Sequence, residues 1–377
     1  MIHNIFWSHY KAVVFSELDK IIRKDFEWKV VQIALTEKSR IKLGEIDYSI
    51  HQYPYVILFN STYEETTLLM RARAIIAEID KFRPDVLVVP GYNDPAYIIA
   101  MVWAKIKGIA LISTADSTEF DHPRSWYKEF AKRLILKLPD RFMCYGSRSK
   151  RYLNLLGISN EKIFIRVQAT DNKLYRQWFK SFKENRDKNV ESAKPHNFIF
   201  VGRLLKSKRV DAILDAYALC LERNPETKNW GVLVLGDGEE GVPLQQHARA
   251  LGIADHIRFE GGVSWSKVPA YYAHANVFIF PSESETWGLV INEAMLCELP
   301  IIASELCGAT PDLVEEGVTG FSFSPNNPRQ LADLMMKFIS KEVDSRSMGQ
   351  AAFNKISYFS AETAAAQMLT AICGLKS

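Results

Sequence analysis

The chain has 377 residues, of which 47% are hydrophobic and 24% are charged, and its formal net charge is +3. This length is too great for one ordinary hydrophobic core and predicts two domains of ordinary size. The charge balance is only mildly basic, so it gives no reason to expect a nucleic-acid partner.

Short apolar runs alternate with amphipathic stretches through the first half of the chain. This order of strand and helix predicts a parallel sheet covered by helices on both faces. The predicted helices include residues 65–82, 95–107 and 148–156. The predicted strands are residues 4–7, 29–35, 55–60, 85–90, 110–114, 141–145 and 162–167.

A charged stretch without apolar periodicity, residues 171–195, predicts a link between two domains. The predicted domains are residues 1–185 and 186–358, and a final segment, 359–377, is expected to cross back to the first domain. Ligands of two doubly wound domains are expected between the carboxyl ends of their sheets. The second half has predicted strands at 197–201, 231–235, 257–260, 277–280, 300–304 and 320–324. Its predicted helices are 209–222, 242–251, 268–274, 288–297, 328–339 and 361–375.

The first predicted strand of the second half runs into a turn at Gly202, followed by Arg203 and Lys208 before a helix. Arginine offers a planar fork for phosphate oxygens, and lysine offers a compact point charge. Two such cations would stabilise a departing diphosphate without a metal ion. Taken alone, the segment favours the alternative of solvated surface cations, because Lys206 and Arg209 lie beside them.

A second segment, FIFPSESETWGLVINEAM, runs from an apolar strand through a polar loop into a helix that begins near Gly288. Glu285 lies in the loop, where its carboxylate can accept hydrogen bonds from a sugar, and Glu293 lies in the helix, where it can accept from ribose. In the alternative, Glu285 is a loop charge and Glu293 is an exposed helix residue. The main-chain amides at the helix start form a predicted anion site, from Trp287, Gly288, Leu289 and Val290.

Together these segments resemble the donor-binding domain of glycosyltransferase family 4, the group 1 glycosyltransferases, over residues 198–340. Glu285 and Glu293 match the E-x7-E motif of that family, and residues 202–208 match its G-R-L…K segment. The resemblance implies the α/β GT-B fold, in which two Rossmann-like doubly wound parallel-sheet domains face each other across a cleft. It also implies a nucleotide-sugar donor on the second domain, an acceptor on the first, retention of anomeric configuration and no required metal. The implied donor-binding residues are Gly202, Arg203, Lys208, Val263, Glu285, Thr286, Trp287, Gly288, Leu289, Val290 and Glu293.

Three features depart from the family pattern or need separate interpretation. Arg209 replaces the usual glycine after the lysine, and the usual Gly-Gly and Glu appear as Gly308, Ala309 and Asp312. Val263 lies in a loop that the resemblance places against the nucleobase, the alternative being a plain strand-to-helix turn. Residues 236–241, GDGEEG, fit a dinucleotide fingerprint, but three carboxylates would crowd a pyrophosphate, so we interpret them as a turn near the donor.

The first half resembles the family less closely. Asp116 is the predicted catalytic residue of this half, together with Glu285 in the second, and the alternative for Asp116 is a helix cap or turn carboxylate. Asp121 and Arg124 complete a pattern that a subset of the family shares. His9 and Asn93 are acceptor-side candidates, with a solvated loop histidine and a proline-set turn as the respective alternatives. The absence of a D-x-D pair agrees with the metal-free site that the resemblance implies.

The stretch from Arg124 to Lys137 combines five cations with interleaved aromatic and aliphatic residues. Such a basic amphipathic helix can lie on an anionic membrane surface and would suit a lipid-linked acceptor. The alternative is an ordinary helix with one apolar face in the core and one basic face in solvent.

The cysteines are scattered along the chain and form no C-x-x-C pair of the kind that a zinc ribbon needs. Their odd number argues against a disulfide framework, so we expect a reducing compartment. The sequence has no apolar run of about 20 residues and no signal-peptide pattern. We therefore expect a cytoplasmic protein, in peripheral contact with the inner membrane face. The cysteines are Cys144, Cys220, Cys297, Cys307 and Cys373.

These features predict a retaining hexosyltransferase, EC 2.4.1.-, that uses a UDP-sugar such as UDP-glucose. Its expected acceptor is a saccharide or lipid-linked saccharide in exopolysaccharide or glycoconjugate assembly. The alternatives are a GDP-mannose-dependent transferase, a GT-B nucleotide-sugar epimerase, a nicotinamide-dependent dehydrogenase and a non-catalytic partner subunit. The last would be expected to lose one of the paired glutamates, and this chain keeps both.

Overall fold

The computed structural model describes residues 1–22, 26–43, 46–121, 124–185 and 194–375. The chain divides into two compact units, Met1–Thr170 with Ser360–Ser377, and Asp171–Phe359. No helix within the described ranges is long and apolar enough to cross a lipid bilayer.

The described residues form thirteen strands, and every strand pair in them is parallel. The predictions placed a strand at each of these positions, to within about two residues. They are β1 (Ile2–Ile5), β2 (Val30–Thr36), β3 (Tyr55–Thr62), β4 (Val86–Val89), β5 (Ala110–Ala115), β6 (Arg141–Tyr145), β7 (Ile163–Arg166), β8 (His196–Val201), β9 (Trp230–Leu235), β10 (Ile257–Gly261), β11 (Val277–Phe280), β12 (Ile301–Ser304) and β13 (Gly320–Phe323).

Helices follow most of these strands, as the alternating pattern predicts. Within the same described ranges they are α1 (His9–Ile21), α2 (Leu68–Phe82), α3 (Pro95–Ile106), α4 (Trp126–Ile135), α5 (Gly146–Leu155), α6 (Asn172–Asn185), α7 (Val210–Arg223), α8 (Gly241–Ala250), α9 (Val268–Tyr272), α10 (Leu289–Leu296), α11 (Thr310–Leu313), α12 (Pro328–Ile339), α13 (Ser345–Ile356) and α14 (Ala361–Cys373).

The sheet of the second unit has the strand order β10-β9-β8-β11-β12-β13, which is the order of a doubly wound nucleotide-binding fold. In the first unit, β1-β2-β3 and β4-β5-β6-β7 form two ladders, and β1 contacts β4. Every residue of β9, β11 and β12 is buried, as expected for central strands covered on both faces. The predicted α/β class with parallel sheets in two Rossmann-like units is confirmed.

Three local predictions differ from the structure. Residues 172–185 of the predicted link form α6, because Tyr175 and Phe179 are buried one turn apart and the helix packs on α9 and α10 of its own unit. The division of the chain therefore lies at Thr170, before that helix, whereas the predicted boundary at 185 lies at its end. Residues 186–193 of the predicted link lie outside the described residues. His9 does not lie in a loop but is the first residue of α1.

The segment Ser360–Ser377 belongs to the first unit, where α14 packs on α1 and β7. The Arg141 guanidinium donates hydrogen bonds to the main-chain carbonyls of Ala371, at 3.0 Å, and Gly374. These bonds satisfy carbonyls at the end of α14, which have no partner inside the helix.

Candidate functional site

The loop that follows β8 is held against the loop that follows β9. The Leu204 amide donates to the carbonyl of Asp237 at 2.9 Å. A Cβ at Gly236 would lie 1.7 Å from the Gly202 carbonyl oxygen, and one at Gly238 would lie 2.3 Å from that of Leu204. The glycines of the GDGEEG segment thus allow two loops to touch, which is a physical reason for a G-x-G turn here that involves no dinucleotide.

Arg203 and Lys208 differ in their surroundings. Arg203 is exposed, and its guanidinium forms no hydrogen bond or ion pair with any residue that the structure describes. The Lys208 ammonium lies 2.7 Å from a carboxylate oxygen of Glu285 and 3.3 Å from the Ser282 hydroxyl and the Ser284 carbonyl. The side chains of Lys208 and Glu285 are 13% and 25% exposed, so the pair is partly shielded from water. The interpretation of Lys208 as a solvated surface cation therefore does not hold.

Arg209 shows why a glycine is usual after this lysine. Its backbone is left-handed, with φ 51° and ψ 40°, a conformation that costs a side-chain-bearing residue about 1 kcal/mol or more. Its guanidinium lies 2.6 Å from a carboxylate oxygen of Glu283 and 2.6 Å from the side-chain oxygen of Asn326, and it also pairs with Asp211. These interactions offset the cost of the left-handed backbone and use the charge of Arg209 within the loop.

The loop between β11 and α10 ends at Gly288, whose φ of 96° again favours glycine. Among the described residues, the main-chain amides of the four residues from Trp287 to Val290 donate no hydrogen bond, and no side chain caps the helix. Unpaired amides at the start of a helix attract anions, because their hydrogens and the helix dipole both present positive charge. The geometry therefore has the features that the sequence predicts for an anion site.

Gly308 fixes the opposite side of this loop. Its amide donates to the Glu285 carbonyl at 2.9 Å, and a Cβ at this position would lie 1.8 Å from the Thr286 carbonyl oxygen. The Ala309 amide donates to the Trp287 carbonyl at 3.1 Å. The substituted Gly-Ala pair at 308–309 thus retains the glycine at the position where close approach requires one.

Glu293 is buried, with 8% of its surface exposed, so the alternative of an exposed helix residue does not hold. One carboxylate oxygen accepts a hydrogen bond from the Trp265 indole at 2.8 Å, and the other accepts from the Tyr175 hydroxyl at 3.4 Å. Burial raises the pKa of Glu293 to about 7, although both hydrogen bonds act in the opposite direction. A carboxyl group that titrates near neutral pH at a candidate site is a common feature of functional sites.

Sequence reasoning missed the two aromatic partners of Glu293. Trp265 follows the loop of Val263, and its ring lies 5.4 Å from that of Tyr175 and 5.1 Å from that of Trp178. Tyr175 and Trp178 lie in the segment that was predicted to be a link. The signal available was their spacing of three residues, which places both on one face of a helix.

The first unit contains a cavity of about 370 Å³, lined by residues that follow several of its strands. Asn93 and Asp116 line it, and both are exposed. His9 lies outside the cavity, with its ring 5.5 Å from that of Trp7. The structure therefore brings the predicted catalytic residue Asp116 and the acceptor-side candidate Asn93 to one cavity, and it leaves the other acceptor-side candidate, His9, outside.

Asp116 and Asp121 have different surroundings. Asp121 is buried and accepts hydrogen bonds at 2.6 Å from both the amide and the hydroxyl of Thr118, so it is the carboxylate that closes the turn. Arg124 donates to the Thr118 carbonyl and, at 2.6 Å, to the Tyr152 hydroxyl. Asp116 caps none of the helices described here, so its carboxylate is available at the cavity wall.

Helix α4 presents an apolar stripe to solvent. Trp126 is 84% exposed, and Tyr127, Phe130 and Leu134 are each at least half exposed. At 3.6 residues per turn these four side chains lie within about 100° of arc. The alternative in which this apolar face belongs to the core therefore does not hold.

No group of three or more His, Cys, Asp or Glu side chains within the described part of the chain is arranged to hold a metal ion.

A family model described as glycosyl transferases group 1 matches residues 181–355. A D-inositol 3-phosphate glycosyltransferase of Thermobifida fusca is 32% identical over 179 residues, which are 46% of this chain and 41% of that protein. The chain thus spans about two fifths of the length of this curated relative.

Solved structures resemble the chain over nearly its whole length. Anabaena Alr3699/HepE in complex with UDP has a TM-score of 0.76 at 18% identity, covering 99% of both chains. The UDP-glucose complex of the same protein has a TM-score of 0.73 at 18% identity, covering 99% of this chain and 98% of that one. Residues 181–355 thus match the group 1 glycosyl transferases, and the fold of the chain matches that of GT-B structures.

Proposed function

We propose that the chain transfers a hexose from a UDP-sugar, with UDP-glucose as the first candidate, to a hydroxyl group of a saccharide or lipid-linked saccharide. The match of residues 181–355 to the group 1 glycosyl transferases supports the reaction class and retention of the anomeric configuration. The UDP and UDP-glucose complexes of Alr3699/HepE support the donor. The observation on which the proposal rests is the run of four unpaired amides next to the Lys208–Glu285 ion pair.

In this proposal the amides of residues 287–290, with Lys208 and Arg203, bind the diphosphate of the donor. Negative charge grows on that group as the glycosidic bond breaks, so fixed donors aimed at it stabilise the transition state more than the ground state. Arg203 has no protein partner among the described residues, so its planar fork is available for phosphate oxygens. Gly202 and Gly288 keep the backbone clear for a close approach of the diphosphate.

The two glutamates have separate proposed roles. Lys208 occupies one carboxylate oxygen of Glu285, which leaves the other oxygen to accept hydrogen bonds from sugar hydroxyl groups. Glu293 accepts from ribose hydroxyl groups, because each of its oxygens has a second lone pair besides the one that Trp265 or Tyr175 uses. Val263 and Thr286 complete the proposed donor site.

The acceptor binds in the cavity of the first unit. Asp116 accepts a hydrogen bond from the acceptor hydroxyl or from the transferred sugar, and Asn93 lines the same wall. We propose no side chain as a covalent nucleophile. In the proposed reaction the departing diphosphate itself takes the proton of the acceptor hydroxyl. His9 lies outside the cavity, so this part of the proposal rests on Asp116 and Asn93.

A lipid-linked acceptor would be reached at a membrane surface, and α4 has the features of an interfacial helix. Its exposed aromatic stripe is flanked by the exposed cations Arg133 and Lys137. Aromatic side chains that enter the lipid interface and cations that face anionic headgroups act together in such helices. We propose that α4 holds the protein on the cytoplasmic face of the membrane.

A thermal-shift panel of UDP-, GDP-, ADP- and dTDP-sugars tests the donor proposal. A ligand that binds only the folded chain stabilises it by about 2.7 kcal/mol at 100 times its dissociation constant, so a selective donor stands out. We expect UDP-glucose to raise the melting temperature of the wild type and of Lys206→Met, and to raise that of Lys208→Met much less. Lys206 is the matched control because it is an exposed lysine in the same turn.

Other outcomes of the panel would overturn the donor assignment. Selective stabilisation by GDP-mannose would assign the chain to the alternative donor class. In a separate titration, binding of NADH would favour a dehydrogenase. Interconversion of UDP-sugars without any acceptor would indicate an epimerase. Equal responses of Lys208→Met and Lys206→Met would remove Lys208 from the donor site.

A further inference from the structure

The cavity of the first unit contains two cations that the proposed reaction does not use. Lys11, in the first turn of α1, and Arg166, at the end of β7, both line it. Both side chains donate hydrogen bonds to the hydroxyl group of Tyr145, and both lie 4.7 Å from the centre of its ring. Two like charges therefore share one neutral partner at the wall of a cavity.

Neither cation has a carboxylate partner in the part of the chain that the structure describes. Arg166 is 5% exposed, and its remaining side-chain hydrogen bond goes to the Met368 sulphur at 3.2 Å. Within the described residues, neither Lys11 nor Arg166 forms a salt bridge. A buried charge is costly unless it is paired, so this arrangement is incomplete as a purely structural one.

Two carboxylates of the cavity wall, those of Glu37 and Asp94, have partners of their own, which leaves Asp116 as the exposed carboxylate of the wall. Glu37 pairs with Arg40 at 2.9 Å, and Asp94 pairs with Arg71 at 2.7 Å. Burial lowers the pKa of His3 to about 3, so this histidine is neutral near pH 7. The two cations, Lys11 and Arg166, therefore outnumber the one remaining carboxylate of the wall, that of Asp116.

Desolvation supports the same conclusion. Burial first, and then the charge of Arg166, lowers the pKa of Lys11 to about 7. Asp116, the exposed carboxylate of the wall, acts on Lys11 in the opposite direction and is the weakest of the influences on it. An anion placed between the two cations would favour the protonated form of Lys11 and neutralise Arg166.

We propose that Lys11 and Arg166 form an anion subsite, which selects acceptors that carry a phosphate or carboxylate group. The inference rests on the proposed function and names the acceptor class of the same cavity. The anionic group would be anchored by the two cations while the reacting hydroxyl lies at Asp116. Arginine forms paired hydrogen bonds with planar or tetrahedral anions, and lysine adds a point charge.

The experiment is a calorimetric titration of inorganic phosphate, and separately of acetate, into protein saturated with UDP. Saturation with UDP removes the donor site as a second place for phosphate to bind. The variants are Lys11→Met and Arg166→Gln. The matched control is Arg141→Gln on the adjacent strand β6, because the Arg141 guanidinium donates hydrogen bonds to main-chain carbonyls outside the cavity. UDP affinity is measured on each protein before saturation.

We expect wild type and Arg141→Gln to bind at least one of the two anions, and each cavity variant to weaken that binding at least tenfold with unchanged UDP affinity. Tighter binding of phosphate than of acetate would assign a phosphorylated acceptor, and the reverse order would assign a uronic acid. Anion binding that is absent in the wild type, or equal in all variants, would overturn the subsite while UDP binding persists. Absence of UDP binding in the wild type would instead overturn the proposed function.

Discussion

The substitution Gly308→Ala tests the close contact that shapes the anion site. An added Cβ would lie 1.8 Å from the Thr286 carbonyl oxygen, 2.5 Å from its carbon and 3.1 Å from the Trp287 nitrogen. Real Cβ contacts are essentially never shorter than 3.0 Å, so the peptide joining Thr286 to Trp287 must move by about 1 Å or more. That peptide contains the first of the four unpaired amides.

The expected cost follows from this overlap. Forcing one extra methyl group into a packed site destabilises a protein by about 1–3 kcal/mol. The contact is with backbone atoms, which cannot turn away as a flexible side chain would. We therefore expect a loss of about 2 kcal/mol in the free energy of unfolding, and UDP affinity weakened by about tenfold or more because the amides are displaced.

Urea unfolding and calorimetric titration of UDP measure the two quantities. The matched control is Gly241→Ala, at the first position of α8, where the nearest atom to an added Cβ is a Leu204 methyl carbon at 3.7 Å. We expect the control to be neutral or slightly more stable, with wild-type UDP affinity. Wild-type stability and UDP affinity in Gly308→Ala would refute the reasoning.

Three further predictions concern the other groups of the proposed sites. Burial raises the pKa of Glu293 from 4.5 to about 7. The protonated carboxyl group therefore stabilises the fold fully below pH 4.5, and this stabilisation is lost as the pH rises through 7. In urea unfolding, the free energy of unfolding of Glu293→Gln relative to that of the wild type should therefore increase by up to about 3 kcal/mol from pH 5 to pH 8. An equal difference at both pH values would contradict this. Asp116→Asn should lower the initial transfer rate by about 10- to 100-fold, which corresponds to the loss of one charged hydrogen bond, and should leave the UDP affinity unchanged. An unchanged transfer rate would remove the proposed role of Asp116 as a hydrogen-bond acceptor in the reaction. The double variant Trp126→Ser with Phe130→Ser should fail to co-sediment with anionic vesicles at low salt, whereas the wild type should bind them. Tyr358→Ser, which removes an exposed aromatic side chain of the second unit, is the control and should also bind. Equal binding of all three proteins would dismiss the membrane contact.

The strands could be predicted because those of a parallel sheet are nearly continuous apolar runs, and the runs at residues 198–201 and 277–280 precede both donor segments. The segments Gly202–Lys208 and Glu285–Glu293 could be predicted because each lies within one loop and the helix beside it. In such segments the spacing along the chain largely determines the spacing in space.

Other features depend on contacts between distant parts of the chain. Helix α6 was missed because it has as many charged residues as apolar ones, and Tyr175 and Phe179 are buried only by packing on α9 and α10. No local pattern indicates that Lys11 and Arg166 meet at one tyrosine, since the topology of the first unit alone brings β7 to the start of α1. The partner of Glu293 in the loop after β10, Trp265, was missed for the same reason.

The central claim is that the second unit holds a nucleoside diphosphate through its charge. Calorimetric titration of UDP and of uridine into the wild-type chain, Lys208→Met and Lys206→Met tests it most directly. We predict that UDP binds at least about 100-fold more tightly than uridine, as two or more charge-assisted hydrogen bonds would give, and that only Lys208→Met reduces this ratio. Equal dissociation constants for UDP and uridine in the wild type would contradict the account.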